Sequence, residues 1–124
     1  MSDKLTVTVN DKTKHLVMSF GLLNEIAKLV GDIDNLGNII IDPHLREAIL
    51  VALLSDRDAE GVITTKYNTV TADLTIDEFT KIADWVSDVL FTFFIRLLES
   101  AKALQEKNQE RVFKLTPTST GLAS

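Results

Sequence analysis

Cysteine is absent from this sequence of 124 residues. That excludes disulfides, thiolate zinc sites and cysteine nucleophiles, and it fits a reducing compartment. Runs of lysine or arginine are also absent, and the formal net charge is -5. The footprint needed to bind a phosphate backbone is therefore missing, and nucleic acid is not expected as a ligand. No apolar run is long enough for a bilayer: the most apolar, Val89-Leu90-Phe91-Thr92-Phe93-Phe94-Ile95, is closed by Arg96, far short of the ~20 residues a membrane helix needs. Met1-Ser2-Asp3-Lys4-Leu5 holds no apolar segment of the kind that directs secretion, so no export signal is expected. Neither a Gly-x-Ser-x-Gly turn nor a glycine-rich phosphate loop occurs. The two histidines, His15 and His44, lack partners at ligand or catalytic spacing and are read as surface or cap residues. The expectation is a protein that is not an enzyme and carries no cofactor.

What is present is an ordinary globular balance. Hydrophobic residues make up 45% and charged residues 25%, well away from the composition of disordered chains. The length suits one domain, expected over 1–112, because a core of this size offsets the ordering of its backbone. Val112 to Ser124 is rich in Thr and Ser with Pro117 and Gly121. A disordered tail over 113–124 is expected.

Apolar residues alternate with threonine from Leu5 to Val9, and a second extended stretch runs from His15 to Phe20. With Asn10-Asp11 between them this reads as a β-hairpin. Phe20, Leu23, Ile26, Ala27 and Val30 then recur at helical spacing, and Gly31 stands where a left-handed C-cap belongs. Residues 32–41 read as a cluster of turns ending in Ile39-Ile40-Ile41. Asp42 caps a second helix that opens on Pro43, carries Leu45, Ile49, Ala52 and Leu53 and ends near Ser55. Residues 56–74 read as a loop with one short strand at Val62 to Tyr67. Thr75-Ile76-Asp77-Glu78 is a capping box opening a long third helix, whose apolar rhythm runs from Phe79 to Leu104 and extends to about Arg111. The expected class is α+β, predominantly helical, with an N-terminal β-hairpin followed by about three helices, the last one long.

Two stretches could carry chemistry. Asp56-Arg57-Asp58-Ala59-Glu60-Gly61-Val62-Ile63 matches positions one, three, five, six and eight of a calcium-binding helix-loop-helix loop, which makes Asp56, Asp58 and Glu60 candidate ligands. Position twelve should supply a bidentate carboxylate but is Tyr67, and β-branched residues follow. An acidic turn is the plainer reading. The third helix has an apolar arc wider than one buried face needs. Val86, Val89, Leu90, Phe93 and Leu97 form its centre, Phe94 and Leu98 lie on a flank, and Phe91 and Ile95 fall on the side of Asp84 and Asp88. Either the helix runs through the core, or Phe91, Phe94, Ile95 and Leu98 bind another protein or a second copy.

Taken in order, these pieces resemble the tail assembly chaperones of long-tailed bacteriophages. The resemblance rests on the hairpin Lys4 to Val17 leading into Phe20-Gly21-Leu22-Leu23-Asn24-Glu25-Ile26, on Arg46-Glu47-Ala48-Ile49-Leu50-Val51-Ala52-Leu53-Leu54-Ser55, and on Asp84-Trp85-Val86 followed by Phe93-Phe94. It spans residues 4 to 98 as a match of pattern and order. It implies a small acidic protein of the host cell cytoplasm that assists assembly around the tape measure protein, recruits tail tube subunits and is absent from the finished particle. It also implies that this chain is the short form of a pair whose longer member arises by frameshifting. The family supplies no fixed site. A virion structural protein forming a ring, as connector or tail-completion subunit, and a calcium-modulated binding module are the other readings.

Overall fold

The computed structural model describes residues 3–71 and 73–123, with side chains described to Phe113 except at residue 72. Strand β1 (Lys4–Val9) and strand β2 (Lys12–Val17) pair antiparallel, from Val9 opposite Lys12 to Lys4 opposite Val17. Asn10 and Asp11 make the two-residue turn with φ of 52° and 61°. Both central residues of such a turn must adopt positive φ for its twist to match the strands, and Asn and Asp tolerate that conformation. The alternation of the sequence puts Val7, Val9 and Leu16 into the core. On the other face Thr6 Oγ1 lies 3.0 Å from His15 Nδ1.

Helix α1 (Phe20–Val30) begins where Ser19 Oγ accepts from the Leu22 amide and ends at Gly31, φ 92°, whose amide donates to the Ala27 carbonyl. Ile26, Ala27 and Val30 form its buried face. Phe20, expected on that face, is 72% exposed, because it occupies the first helical position, before the packed turns. Residues 32–41 are more regular than a turn cluster. A single 3-10 turn (Ile33–Asn35), capped by Asp32, leads into the four-residue helix α2 (Asn38–Ile41), which buries Ile39. Elements this short contain no repeat for a periodicity to show.

Helix α3 (Pro43–Leu54) follows its cap signals: Asp42 Oδ1 accepts from the His44 and Leu45 amides at 2.9 and 3.3 Å, with Pro43 in the first turn. Ile49, Leu50, Ala52, Leu53 and Leu54 are buried. A second small hairpin comes next, strand β3 (Asp56–Arg57) against strand β4 (Ile63–Thr65). The strand expected at Val62 to Tyr67 is thus shorter, and its partner, of two residues, is too short to show any alternation in the sequence.

Helix α4 (Ile76–Ala123) is the long last element. Its cap is half of the expected box. Thr75 Oγ1 accepts from the Glu78 amide at 3.1 Å, but the Glu78 carboxylate accepts from the Thr8 amide of β1 at 3.3 Å. The sequence motif predicted the local bond, and tertiary packing redirected the other. Ile82, Ala83, Trp85, Val86 and Leu90 are buried. The fully enclosed side chains Val7, Ile26, Ile39, Ile49, Ile82, Val86 and Leu90 come from the first hairpin and all four helices. The fold is α+β and mostly helical, an N-terminal hairpin followed by helices of which the last is long.

Packing divides the chain into two compact units, Met1–Thr92 and Phe93–Ser124. The core just described belongs to the first. In the second, α4 carries Leu97, Leu98, Leu104, Val112 and Phe113 as exposed apolar side chains. Of the tail expected to be disordered, 113–124, only Phe113 lies within the described side chains.

Candidate functional site

The residues of α4 singled out from sequence fall into the two units. In the first, burial is complete at Val86 and Leu90, and the next residue, Phe91, is 51% exposed. Core and surface therefore meet within one residue. The helix is central as far as Leu90, and Phe91 stands outside that stripe. In the second unit Phe94 and Ile95 are half-buried and Leu98 is 61% exposed. Spacings of four and three bring Phe94, Ile95 and Leu98 onto neighbouring positions of the helix surface. Phe94 also meets the Phe93 ring, with centroids 6.1 Å apart and planes tilted by 47°, a separation at which tilted aromatic pairs attract. Leu97, read from sequence as part of the buried centre, is exposed. The apolar rhythm of a helix continues whether or not anything packs against it, so periodicity overran the packed segment.

An exposed apolar residue can do one thing chemically, which is to lose water against another apolar surface. Full burial of a large aliphatic or aromatic side chain contributes about 1.5–3 kcal/mol. Half-exposed residues such as Phe91 and Leu98 retain a fraction of that for a partner. The charged residues around them, Asp88, Arg96 and Glu99, leave the surface amphipathic.

The acidic stretch is a tight turn. Asp58 Oδ1 accepts from the Glu60 and Val62 amides at 2.9 and 3.0 Å, and Gly61 takes φ 85°. One carboxylate oxygen of Asp58 is thereby committed to closing the loop between β3 and β4. The Asp56 carboxylate lies 3.5 Å from Lys14 Nζ, and Lys14 Nζ also donates to the Leu54 carbonyl. Tyr67, at the last ligand position of the calcium pattern, donates its amide to Ser55 Oγ at 2.9 Å. Its hydroxyl is buried without a partner among the described residues, and that burial raises its pKa above the usual tyrosine value. Among the described residues, no group of three or more His, Asp or Glu side chains stands close enough together to hold a metal ion. Among the same residues, no helix is long and apolar enough to cross a membrane.

Sequence reasoning missed the contacts that assemble this side of the first unit. Arg57, passed over inside the calcium pattern, donates from Nη2 to Glu25 of α1 and to the Ala52 carbonyl of α3, and from Nη1 to the Gly61 carbonyl. Lys12, Lys14 and Lys66 line one groove together with Thr13, Thr65 and Asn68. The hairpin register was the only available signal for either lysine of β2, and nothing local pairs them with Lys66. Comparison with models of known protein families, with curated proteins and with solved structures returned no match.

Proposed function

We propose that this chain works by binding proteins, as the short form of a phage tail assembly chaperone. In the host cytoplasm it shields the tape measure protein, helps recruit tail tube subunits and leaves before the particle is complete. The observation that carries the binding reading is the abrupt change on α4 from fully buried Leu90 to exposed Phe91, with Leu98 exposed in the second unit. The order of the hairpin, the two middle helices and the Asp84-Trp85-Val86 and Phe93-Phe94 segments supports the choice of family. Phe91, Phe94, Ile95 and Leu98 are the proposed contacts. A chaperone must release its client, and a few partly exposed side chains suit that need. Each contributes about 1–2 kcal/mol on burial, and association itself costs several kcal/mol. The complex is then weak enough for incoming tube subunits to displace.

The test is co-expression with a tape measure protein, sought among the long helical proteins encoded near this gene, using the double variant Phe91→Asp and Ile95→Asp. The expected result is that the natural chain keeps the tape measure protein soluble and the variant does not, while circular dichroism and melting temperature of the variant stay near those of the natural chain. Loss of dichroism in step with loss of solubility would mean that these residues serve only the fold. Recovery of the chain in stoichiometric amounts from purified particles would replace the chaperone by a structural ring subunit.

A further inference from the structure

The two edges of the first hairpin are treated differently. In a hairpin closed by a two-residue turn, Val9 and Lys12 exchange hydrogen bonds, as do every second pair after them. The backbone groups of Thr6 and Thr8 on β1, and of Thr13 and His15 on β2, therefore point away from the ladder. On β1 the row is covered at its turn end: the Thr8 amide donates to Glu78 Oε2, and beyond the strand Asn10 exchanges bonds with Asp73, amide to carbonyl at 3.3 Å and amide to Oδ1 at 2.7 Å, so that only the Thr6 amide meets no partner among the described residues. On β2 the amides of Thr13 and His15 meet no partner among the described residues. An open strand edge is a template for another strand.

Beside this open edge lies the groove lined by Lys12, Thr13, Lys14, Thr65, Lys66 and Asn68, with a cavity volume of about 490 Å³. Its charge is opposite to its surroundings. Residues 1–92 hold eight Lys and Arg against fifteen Asp and Glu, yet three of those eight cations line this one groove with a single carboxylate, Asp56. Lys14 is held by Asp56 and the Leu54 carbonyl. Lys12 and Lys66 are exposed and have no ion-pair partner among the described residues.

We propose that the β2 edge and its groove bind an extended, acidic segment of a partner protein, added to the first hairpin as a third strand. The amides of Thr13 and His15 bond the segment's backbone, and Lys12 and Lys66 meet carboxylates on alternate residues. Charge decides between this occupant and a second copy of the hairpin. Two β2 edges paired with each other would set Lys12 and Lys14 against the same two lysines, and like charges across strands are destabilising. A polyphosphate would also be drawn to the lysines and its oxygens could accept from the amides, but it has no N–H groups to donate to the outward carbonyls of Thr13 and His15, which a third strand would supply. The site is separate from the α4 residues of the proposed function, and its test does not depend on them.

The test is fluorescence anisotropy on the full chain with three labelled eight-residue peptides: a Glu-Thr repeat, a Lys-Thr repeat, and the Glu-Thr repeat N-methylated at alternate amides. The Glu-Thr peptide should bind, and roughly tenfold more weakly as salt rises from 0.05 to 0.5 M. The other two should not. In Lys12→Glu with Lys66→Glu, both exposed positions, the preference should reverse to the Lys-Thr peptide, and Lys12→Gln with Lys66→Gln should remove binding if the reversal disturbs the fold. Amide NMR shifts at Thr13 and His15 should move with the Glu-Thr peptide in the unaltered protein. No binding of that peptide would overturn the proposal and leave the lysines as guards against edge aggregation. So would equal binding of the N-methylated peptide, or binding of a ten-nucleotide single-stranded DNA as tight as that of the Glu-Thr peptide.

Discussion

Arg57 and Glu25, thirty-two residues apart in sequence, form a two-point ion pair, with Nη2 2.8 Å from Oε2 and Nη1 3.4 Å from Oε1. Arg57 also donates to the carbonyls of Ala52 and Gly61, each at 2.9 Å. One planar guanidinium thus joins α1, the end of α3 and the β3–β4 loop, a geometry that five donors in a fixed fork allow.

Arg57→Ala should lower stability by about 1–3 kcal/mol in a urea titration. The ion pair is partly exposed and by itself contributes at most about 1 kcal/mol. The rest comes from the carbonyls left without a donor. Arg57→Lys should restore less than half, because an ammonium cannot reach three acceptors in different directions. Full recovery by lysine would show that charge alone matters here.

The turn at Asn10 and Asp11 stores a choice of residue. Both take positive φ, and glycine at the second position suits such a turn best. Asp11→Gly should raise the melting temperature, by an amount equivalent to roughly 0.5–1 kcal/mol. Asp11→Val should lower stability by about 1–2 kcal/mol. Opposite signs for these two changes, read by thermal melts, are the expected outcome.

At the start of α4, Thr75→Ala removes the oxygen that accepts from the Glu78 amide and should cost about 1 kcal/mol. Glu78→Ala has a second, distant effect, because its carboxylate also accepts from the Thr8 amide. Hydrogen exchange at Thr8 should quicken in Glu78→Ala and stay unchanged in Thr75→Ala. Equal exchange in both variants would mean that the helix does not protect the edge of β1.

Tyr67 links stability to alkaline pH. Burial favours its neutral form, so its pKa is higher folded than unfolded, where it is about 10. The unfolded chain therefore releases this proton first as pH rises, and the stability Tyr67 contributes is complete below pH 10 and is lost progressively above it. Tyr67→Phe should flatten that part of the pH profile. At neutral pH it should leave stability unchanged or slightly raised, since the hydroxyl it removes has no partner among the described residues.

Most local elements were legible in the sequence, and each for a local reason. Asp42 and Thr75 cap α3 and α4, with Pro43 opening α3 and Gly31 closing α1, whereas Ser19, the cap of α1, lies inside the stretch His15 to Phe20 that reads as extended. Alternation around Asn10-Asp11 defined the first hairpin. The short pieces, Ile33–Asn35, Asn38–Ile41 and Asp56–Arg57, escaped because they are shorter than the period that would reveal them. Of the candidate surface, Phe91 and Leu98 could be named from their positions on the helix. That full burial ends at Leu90, with Phe94 and Ile95 half-buried and Leu97 exposed, could not.

The sequence alone determined the absence of cysteine chemistry, the acidic balance, the hairpin turn and the helix caps, because these depend on composition or on bonds between residues within four positions of each other. Tertiary structure alone decided that Glu78 covers the Thr8 amide, that Arg57 grips Glu25, and that Lys12 and Lys66 share a groove. Those relations join residues thirty to seventy positions apart, and no local preference of the chain carries information across such a distance. They form only when burial of Ile26, Ile39, Ile49, Ile82 and Leu90 draws the hairpin and the helices onto one core.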